Sequence, residues 1–162
     1  MNPTIWAAVI GLVGTILAAL IPWLLSRKAS ARNETYDKVI GSITEPQPDQ
    51  TVGRTFQCSG IVTGMQPGLS LWLAVEVGGL VWPKESKVWV DKDNRWSVTV
   101  FEDGATEVFS AALFVADAGA DKHISGWLET GRRTGTYSEL RGIPGARRIA
   151  RVDGLRLKKA TP

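Results

Sequence analysis

Few side chains in this 162-residue sequence are suited to acid–base, nucleophilic or metal chemistry, since it holds one histidine and one cysteine. His123 and Cys58 are far apart in the chain, and neither has the partner that a general base or an activated nucleophile requires. Two such residues are too few for a cluster of metal ligands. No Walker A, GxGxxG or GxSxG motif occurs. The sequence therefore predicts a protein that is not an enzyme and has no cofactor or metal, with His123 on the surface and Cys58 buried in a strand.

One acidic run has the outline of a calcium-binding loop. Asp91 and Asp93 are followed by Glu102 at the twelfth position, where such a loop carries its last ligand. The fifth position is Arg95 and the sixth is Trp96, where the loop needs an oxygen ligand and a glycine. We therefore reject a calcium site and predict a hairpin turn that leads into a strand.

Tryptophan is abundant, with seven residues in the chain. Indole rings stack on sugars and bases, and four tryptophans of the central region could line such a platform: Trp72, Trp82, Trp89 and Trp96. The alternative is that they fill the core or the outer face of a sheet, which is the commoner role of aromatic side chains. Trp72 and Trp82 are the two predicted as candidate ligand contacts.

Two arginine pairs, Arg132–Arg133 and Arg147–Arg148, could hold an anion, although solvated or membrane-facing loops are the commoner outcome. The surrounding charge is uneven. Residues 45–129 hold twelve acidic and six basic side chains, a net of −6, whereas residues 132–159 hold nine basic and two acidic ones, a net of +7. Such asymmetry can indicate an anionic partner. Because glycine and proline interrupt the basic residues, we expect them to pack against the acidic part of the domain or to face a membrane, and nucleic acid is an unlikely partner.

The longest apolar stretch, Ile5–Leu25, predicts the element that anchors the whole chain. No charged residue occurs from Met1 to Ser26, and a helix over the apolar run would be roughly 31 Å long, about the thickness of a bilayer's hydrocarbon core. Trp6 and Trp23 lie near its ends, at the headgroup level that indole rings prefer. A cleaved signal peptide and a buried core helix are the alternatives; the uncharged N-terminus and the length of the run disfavour both.

The flanking charges predict how this segment is oriented. Arg27, Lys28 and Arg32 follow it, and none precedes it. Since Lys and Arg are retained on the cytoplasmic side, we expect a single-pass protein of the inner membrane with its N-terminus outside and its C-terminal domain in the cytoplasm. The lone Cys58 agrees weakly, because exported domains more often carry cysteine pairs.

Small residues recur along one stripe of the predicted membrane helix, at Ala7, Gly11, Gly14 and Ala18. Close backbone approach at such stripes is the usual basis of helix association in lipid. The stripe therefore suggests a homo-oligomer formed through the membrane helix. Glycine and alanine are also common in membrane helices that do not associate.

After a predicted linker over residues 27–50, the hydrophobic pattern changes to period two. The sequence predicts a β-sandwich domain over residues 51–159, antiparallel and immunoglobulin-like. Its expected strands cover residues 56–62, 69–77, 80–82, 87–90, 96–101, 106–116 and 147–158. We expect a bulge at Gly60, and a charged edge strand at the C-terminus that is interrupted at Asp153-Gly154. One helix is predicted over residues 121–130, with Gly131 as its terminating glycine.

Several short motifs resemble those of a small β-sandwich module found in bacterial proteins of unknown function. They are Gly60-Ile-Val-Thr-Gly64, Pro67-Gly68, Leu71-Trp72-Leu73, Trp82-Pro83, Trp96-Ser97, Trp127-Leu-Glu-Thr-Gly131, Gly135 and Ile143-Pro144. The resemblance covers about residues 52–158, and Val81-Trp82 replaces the aromatic pair that usually precedes the proline. It implies a C-terminal unit next to membrane helices or signalling and defence domains, without catalytic residues.

The sequence thus predicts a membrane-anchored binding or sensor protein whose cytoplasmic sandwich recognises a protein or a small ligand. Its partners would be the lipid bilayer, that unknown ligand and further copies of itself. Two other functions stay open. One is a membrane effector of a defence or signalling system that oligomerises through the helix, and the other is an exported module that binds surface glycans or proteins.

Overall fold

The computed structural model describes residues 36–104 and 108–158. The predicted membrane helix, its small-residue stripe and its interface residues Trp6, Trp23, Arg27 and Lys28 lie outside the described residues. Within the described ranges, no helix has both the length and the apolar character that crossing a bilayer requires. The chain divides into two units, Met1–Asp37 and Lys38–Pro162, and all described strands belong to the second.

Strands dominate the described residues, as the period-two pattern predicts. The elements in chain order are β1 (Ile40–Glu45), β2 (Thr51–Val52), β3 (Thr55–Thr63), β4 (Ser70–Val77), β5 (Leu80–Val88), β6 (Arg95–Phe101), β7 (Phe109–Ala116), α1 (Ala118–Thr134) and β8 (Ala146–Leu157). The mainly β class is confirmed.

The strands form two sheets, ordered β1-β3-β6 and β2-β8-β7-β4-β5. Every strand pair is antiparallel except the short parallel pair β2–β8. The rings of Phe56 on β3 and Phe109 on β7 lie 6.2 Å apart between centroids, and the side chain of Leu113 on β7 lies against Gly41 of β1. These contacts show that the two sheets pack face to face, as in a β-sandwich.

The larger sheet is covered on both faces, which the sequence pattern does not predict. Leu71, Leu73 and Val75 share one face of β4, as expected from alternation, yet Trp72 and Ala74 on the other face are also buried. A second core explains this, since helix α1 lies over that face. Its buried members are Trp72, Ala74, Val81, Ala112, Phe114, Ala116, Ala120, Ile124, Leu128 and Ile143.

Helix α1 is longer than predicted at both ends. Its N-cap is Asp117, whose side chain accepts a hydrogen bond from the Ala120 N–H, and it ends at Gly135 in the left-handed conformation. The prediction that Gly131 ends the helix is therefore wrong. Gly131 lies inside the helix and is buried, and a Cβ there would overlap the ring of Tyr137. The glycine permits close packing of the following loop on the helix.

The prediction of a linker up to residue 50 is wrong, because strand β1 lies within that range. Ile40–Glu45 pairs with β3 along its length, so the first sheet begins inside the predicted linker. The prolines that indicated a linker follow this strand and form a turn, with a cis bond between Glu45 and Pro46. Val108 falls outside β7, which begins at Phe109, and the other two residues of the predicted strand start, 106 and 107, lie outside the described residues.

Two predicted irregularities are placed differently. Gly60 lies in regular register with Trp96 of β6, and the bulge is on β1, between Ile43 and Glu45. The glycine is required for another reason, because a Cβ would overlap the Ser42 carbonyl oxygen. Strand β8 is not broken at Asp153-Gly154 but bulged there, and it is flanked by β7 and, at one end, by β2. It is therefore an edge strand only over part of its length.

Candidate functional site

Trp72, one of the two predicted ligand contacts, lies in the second core. It is buried between β4 and helix α1, and its Nε1 donates a hydrogen bond to Asp121 Oδ1 at 3.0 Å. Lys87 Nζ donates to the other oxygen of the same carboxylate at 2.8 Å. Burial alone would raise the pKa of Asp121, but hydrogen bonds from Lys87, Trp72 and Ser70 and the charge of Lys87 outweigh it and lower the pKa below its ordinary value of 3.8. Trp72 thus serves to fasten α1 to the sheet.

This arrangement gives a first prediction about stability. Asp121→Asn is expected to lower the free energy of unfolding by about 1 kcal/mol near pH 7, since it removes a half-exposed ion pair and weakens an acceptor. The pKa of Asp121 is lower in the folded protein than in the unfolded chain. The stabilisation is therefore complete when the pH is above the ordinary pKa of 3.8, and it is lost as the pH falls through the folded-state pKa. Urea denaturation should show a smaller difference in the free energy of unfolding between Asp121→Asn and the unmodified protein near pH 3 than near pH 7. Asp93→Asn, in an exposed turn, is the control, with no loss expected.

Trp82 is half-buried in an aromatic row between β5 and α1. Its ring centroid lies 6.3 Å from that of Trp127, which in turn lies 4.9 Å from Tyr137. The Trp127 indole N–H donates to the Ser138 carbonyl oxygen at 2.9 Å. These contacts hold the loop after the helix, so Trp82 packs within the domain, as the alternative interpretation of the tryptophans holds.

The arginine pairs lie on separate elements and contact the protein itself. Arg132 and Arg133 are in the last turn of α1, where Arg132 donates to the Glu85 carbonyl oxygen at 3.0 Å. Arg147 and Arg148 are exposed on β8, and Arg148 Nη1 contacts both carboxylate oxygens of Glu76, at 3.0 and 2.8 Å. The two pairs thus lie on separate elements, and each includes an arginine that is engaged by the domain itself.

A charged cleft surrounds Glu76 at the end of β4. Arg151 contacts Glu76 at 3.3 Å and Asp153 at 2.6 Å, and Ser110 donates to Asp153 at 2.7 Å. The Ser110 hydrogen bond, followed by the charges of Arg151 and Arg148, lowers the pKa of Asp153. Arginines of the basic strand β8 thus form ion pairs with acidic side chains of the same domain. This is one of the two arrangements that the uneven charge predicts.

A groove opens on the outer face of the smaller sheet and has a volume of about 530 Å³, within the range of small-molecule sites. Three strands and the β5–β6 turn enclose it. The residues that line it are Thr44, Ser59, Gly60, Ile61, Trp89, Val90, Asp91, Arg95, Trp96 and Ser97. We call it the Trp89 groove.

Trp89 is the most exposed large apolar side chain of the described residues, with 82% of its surface accessible. The residue follows β5, and the next residue, Val90, pairs with Trp96 across the turn. Alternation along Lys87–Val90 turns the two valines inward and the indole outward. A large indole left in water beside a groove is a surface available for stacking.

Hydroxyl groups form the floor beside this ring. Ser59 of β3 is in register with Ser97 of β6, and its Oγ lies 3.4 Å from Thr44 Oγ1 of β1. Residues directly opposite each other on neighbouring strands share one face, so the three hydroxyls form a row across the sheet. We call Thr44, Ser59 and Ser97 the hydroxyl row.

Trp96 also lines the groove, but strand alternation turns its indole to the face opposite Ser97, toward the interior of the domain. Only 3% of its surface is accessible, and its Nε1 is the buried side-chain polar atom that lacks a hydrogen-bond partner in the described part of the chain. Leaving such a donor unsatisfied costs about 1–3 kcal/mol.

The β5–β6 turn beside the groove contains Asp91 and Asp93, the first two acidic residues of the rejected calcium loop. Asp91 Oδ1 accepts hydrogen bonds from the backbone N–H groups of Asp93 and Arg95, both at 2.8 Å, and Asn94 takes a positive φ. Glu102 is instead paired with Lys84 at 2.6 Å. Between them, residues 36–104 and 108–158 present no group of three or more His, Cys, Asp or Glu side chains that could hold a metal ion.

His123 is exposed on α1 and Cys58 is completely buried in β3, as the sequence predicts. Burial raises the pKa of the Cys58 thiol to about 12 from an ordinary value of 9.0. We expect the folded protein to react with a thiol reagent such as DTNB roughly a thousandfold more slowly than the unfolded chain near pH 8, because the thiolate is the reactive form. Reaction at the same rate in the presence and absence of denaturant would contradict this placement.

The Trp89 groove differs from the predicted ligand contacts. Sequence reasoning included Trp89 and Trp96 among four platform candidates but favoured Trp72 and Trp82. The alternation around Trp89, with a valine on either side, was the available signal for an outward ring. The hydroxyl row had no such signal, because strand register brings its members together from three separate segments.

No protein-family model matches the sequence, and no curated protein matches it either.

Proposed function

We propose that this protein is a membrane-anchored binding module whose sandwich domain recognises its ligand through the Trp89 groove. The observation that carries the proposal is the 82% exposed indole of Trp89 beside a groove of about 530 Å³. Exposed aromatic rings at concave sites commonly act as anchors for ligands or partner proteins. The charged clusters, by contrast, are neutralised within the domain.

The membrane anchor and the cytoplasmic location rest on the sequence. The uncharged stretch from Met1 to Ser26, followed by Arg27, Lys28 and Arg32, supports a single span with the domain on the inner side. The resemblance to bacterial sandwich modules stays part of the proposal. The immunoglobulin-like character of the domain is supported by its two facing sheets. Helix α1 and the parallel β2–β8 pair are additions to the antiparallel pattern of such domains.

Photo-crosslinking in cells tests the groove. The full chain would carry a benzophenone amino acid in place of Ile61, which is 43% exposed and lines the groove outside the hydroxyl row, or in place of Glu129, which is exposed on α1. We expect a crosslinked product of defined mass from the Ile61 position that disappears when Trp89→Ala is added. The same products from both positions, no product from Ile61, or a product that is unaffected by Trp89→Ala would refute binding at the groove.

A membrane effector that oligomerises through its helix is the second candidate, favoured by the stripe Ala7, Gly11, Gly14 and Ala18. Replacing Gly11 and Gly14 together by leucine should then abolish self-association in membranes. Unchanged self-association would exclude this candidate. An exported surface module is the third, favoured by an exposed indole beside hydroxyl groups, and it requires the opposite orientation in the membrane.

A further inference from the structure

We infer that the Trp89 groove binds an uncharged, polyhydroxylated ligand, that is, a neutral carbohydrate. This inference rests on the proposed function and names the ligand class of the same groove. Two features carry it: an exposed indole and a row of hydroxyls that line the same groove. Each corresponds to one part of a sugar ring.

The indole of Trp89 suits the apolar face of a sugar. A pyranose presents C–H groups on its faces and hydroxyls around its edge, and aromatic side chains combine a large apolar surface with little conformational freedom. A protein partner would also use a tryptophan anchor, but such an anchor normally lies within an apolar, water-excluding surround. Trp89 instead borders the hydroxyl row, so a ligand with an apolar face and a polar edge fits better.

The hydroxyl row suits the edge of that ring. A serine or threonine hydroxyl both donates and accepts hydrogen bonds, as a sugar hydroxyl does. Thr44 Oγ1 contacts the Ser59 carbonyl oxygen at 3.2 Å, which fixes one member of the row against the sheet.

The charges around the groove favour a neutral ligand. Its lining includes one acidic and one basic residue, Asp91 and Arg95, so their formal charges cancel. One oxygen of Asp91 is already engaged by two backbone N–H groups of the turn. A site for a phosphate or a uronic acid would show a net positive charge and several converging cationic donors.

Fluorine NMR of the full chain tests the inference, with 5-fluorotryptophan in place of tryptophan and a detergent that has no sugar headgroup. The probes are maltohexaose, cellohexaose and chitohexaose, with hexagalacturonate as the charged comparison. We expect at least one neutral oligosaccharide to shift the resonance of Trp89 but not those of Trp72 and Trp127. Resonances would be assigned from single Trp→Phe variants.

Variants locate the binding. Trp89→Ala should weaken the oligosaccharide at least tenfold, and Ser97→Ala should weaken it about threefold to tenfold through the lost hydroxyl. Phe101→Ala, at an aromatic residue that is 59% exposed on the same sheet but outside the groove, should leave the affinity unchanged. Since Trp89 and Phe101 are exposed, both variants should fold, and circular dichroism checks this.

Other outcomes overturn the inference in distinguishable ways. Binding of hexagalacturonate alone, or no shift with any neutral oligosaccharide at millimolar concentration, refutes a neutral carbohydrate. If the Ile61 crosslink still depends on Trp89 in that case, the groove binds a ligand of another class and the proposed function stands. Shifts confined to Trp72 or Trp127 would place the sugar elsewhere and refute the groove.

Discussion

Replacing Gly60 with alanine is expected to lower the free energy of unfolding by about 3 kcal/mol, the upper end of the usual cost of overpacking. The methyl group would overlap the backbone carbonyl oxygen of Ser42 and lie 2.9 Å from the Trp96 ring. A backbone atom held in a sheet cannot rotate away, so β1 would have to separate from β3. For a domain of this size, the melting temperature should fall by roughly 10–20 °C.

A matched substitution should have the opposite sign. Gly126 lies in helix α1, and nothing lies within 4 Å of a Cβ built there. Gly126→Ala should therefore raise the free energy of unfolding by about 0.5–1 kcal/mol through helix propensity. Chemical denaturation of both variants in the same detergent makes the comparison. If Gly60→Ala is as stable as the unmodified protein, β1 does not approach β3 as closely as described.

Phe109→Ala is expected to cost about 3–5 kcal/mol, the usual range for a buried phenylalanine. Phe109 has 1% of its surface exposed and is among the largest fully buried side chains of the described residues. Its ring contacts Phe56 from the opposite sheet, so the substitution leaves a cavity between the two layers. Neither strand can close that cavity, because each is held by neighbours on both sides.

The neighbouring residue provides the control for this prediction. Val108→Ala removes apolar atoms from a side chain that is 48% exposed and should change the free energy of unfolding by less than about 0.5 kcal/mol. Urea denaturation followed by tryptophan fluorescence measures both variants. Equal, small effects at the two positions would show that the sheets do not pack against each other through Phe109.

Period-two alternation predicted most strands and their faces correctly, but it could not predict what covers each face. The pattern of β4 separates Leu71 and Leu73 from Trp72, as the structure confirms. That Trp72 is buried depends on helix α1, whose docking involves contacts between residues far apart in sequence, such as Trp72 with Asp121. For the same reason the sequence favoured Trp72 as a ligand contact.

Errors at the ends of elements have local causes. Strand β1 was missed because Ile40–Glu45 carries few apolar residues and precedes a proline-rich turn. The helix was predicted too short because Gly131 is the first glycine after its last apolar position, whereas Gly135 takes the left-handed conformation. Only the packing of Tyr137 on Gly131 explains the earlier glycine. By contrast, Asp117 is a recognisable N-cap and could have placed the helix start.

Labelling of one introduced cysteine from either side of the membrane tests most directly whether the domain works at the cytoplasmic face. Thr99 is exposed on β6, and the buried Cys58 with its raised pKa should not react in the folded protein. A membrane-impermeant maleimide should therefore label Thr99→Cys in inverted vesicles and not in intact cells, while the unsubstituted protein stays unlabelled in both. Labelling of Thr99→Cys in intact cells would contradict the account and place the Trp89 groove outside the membrane.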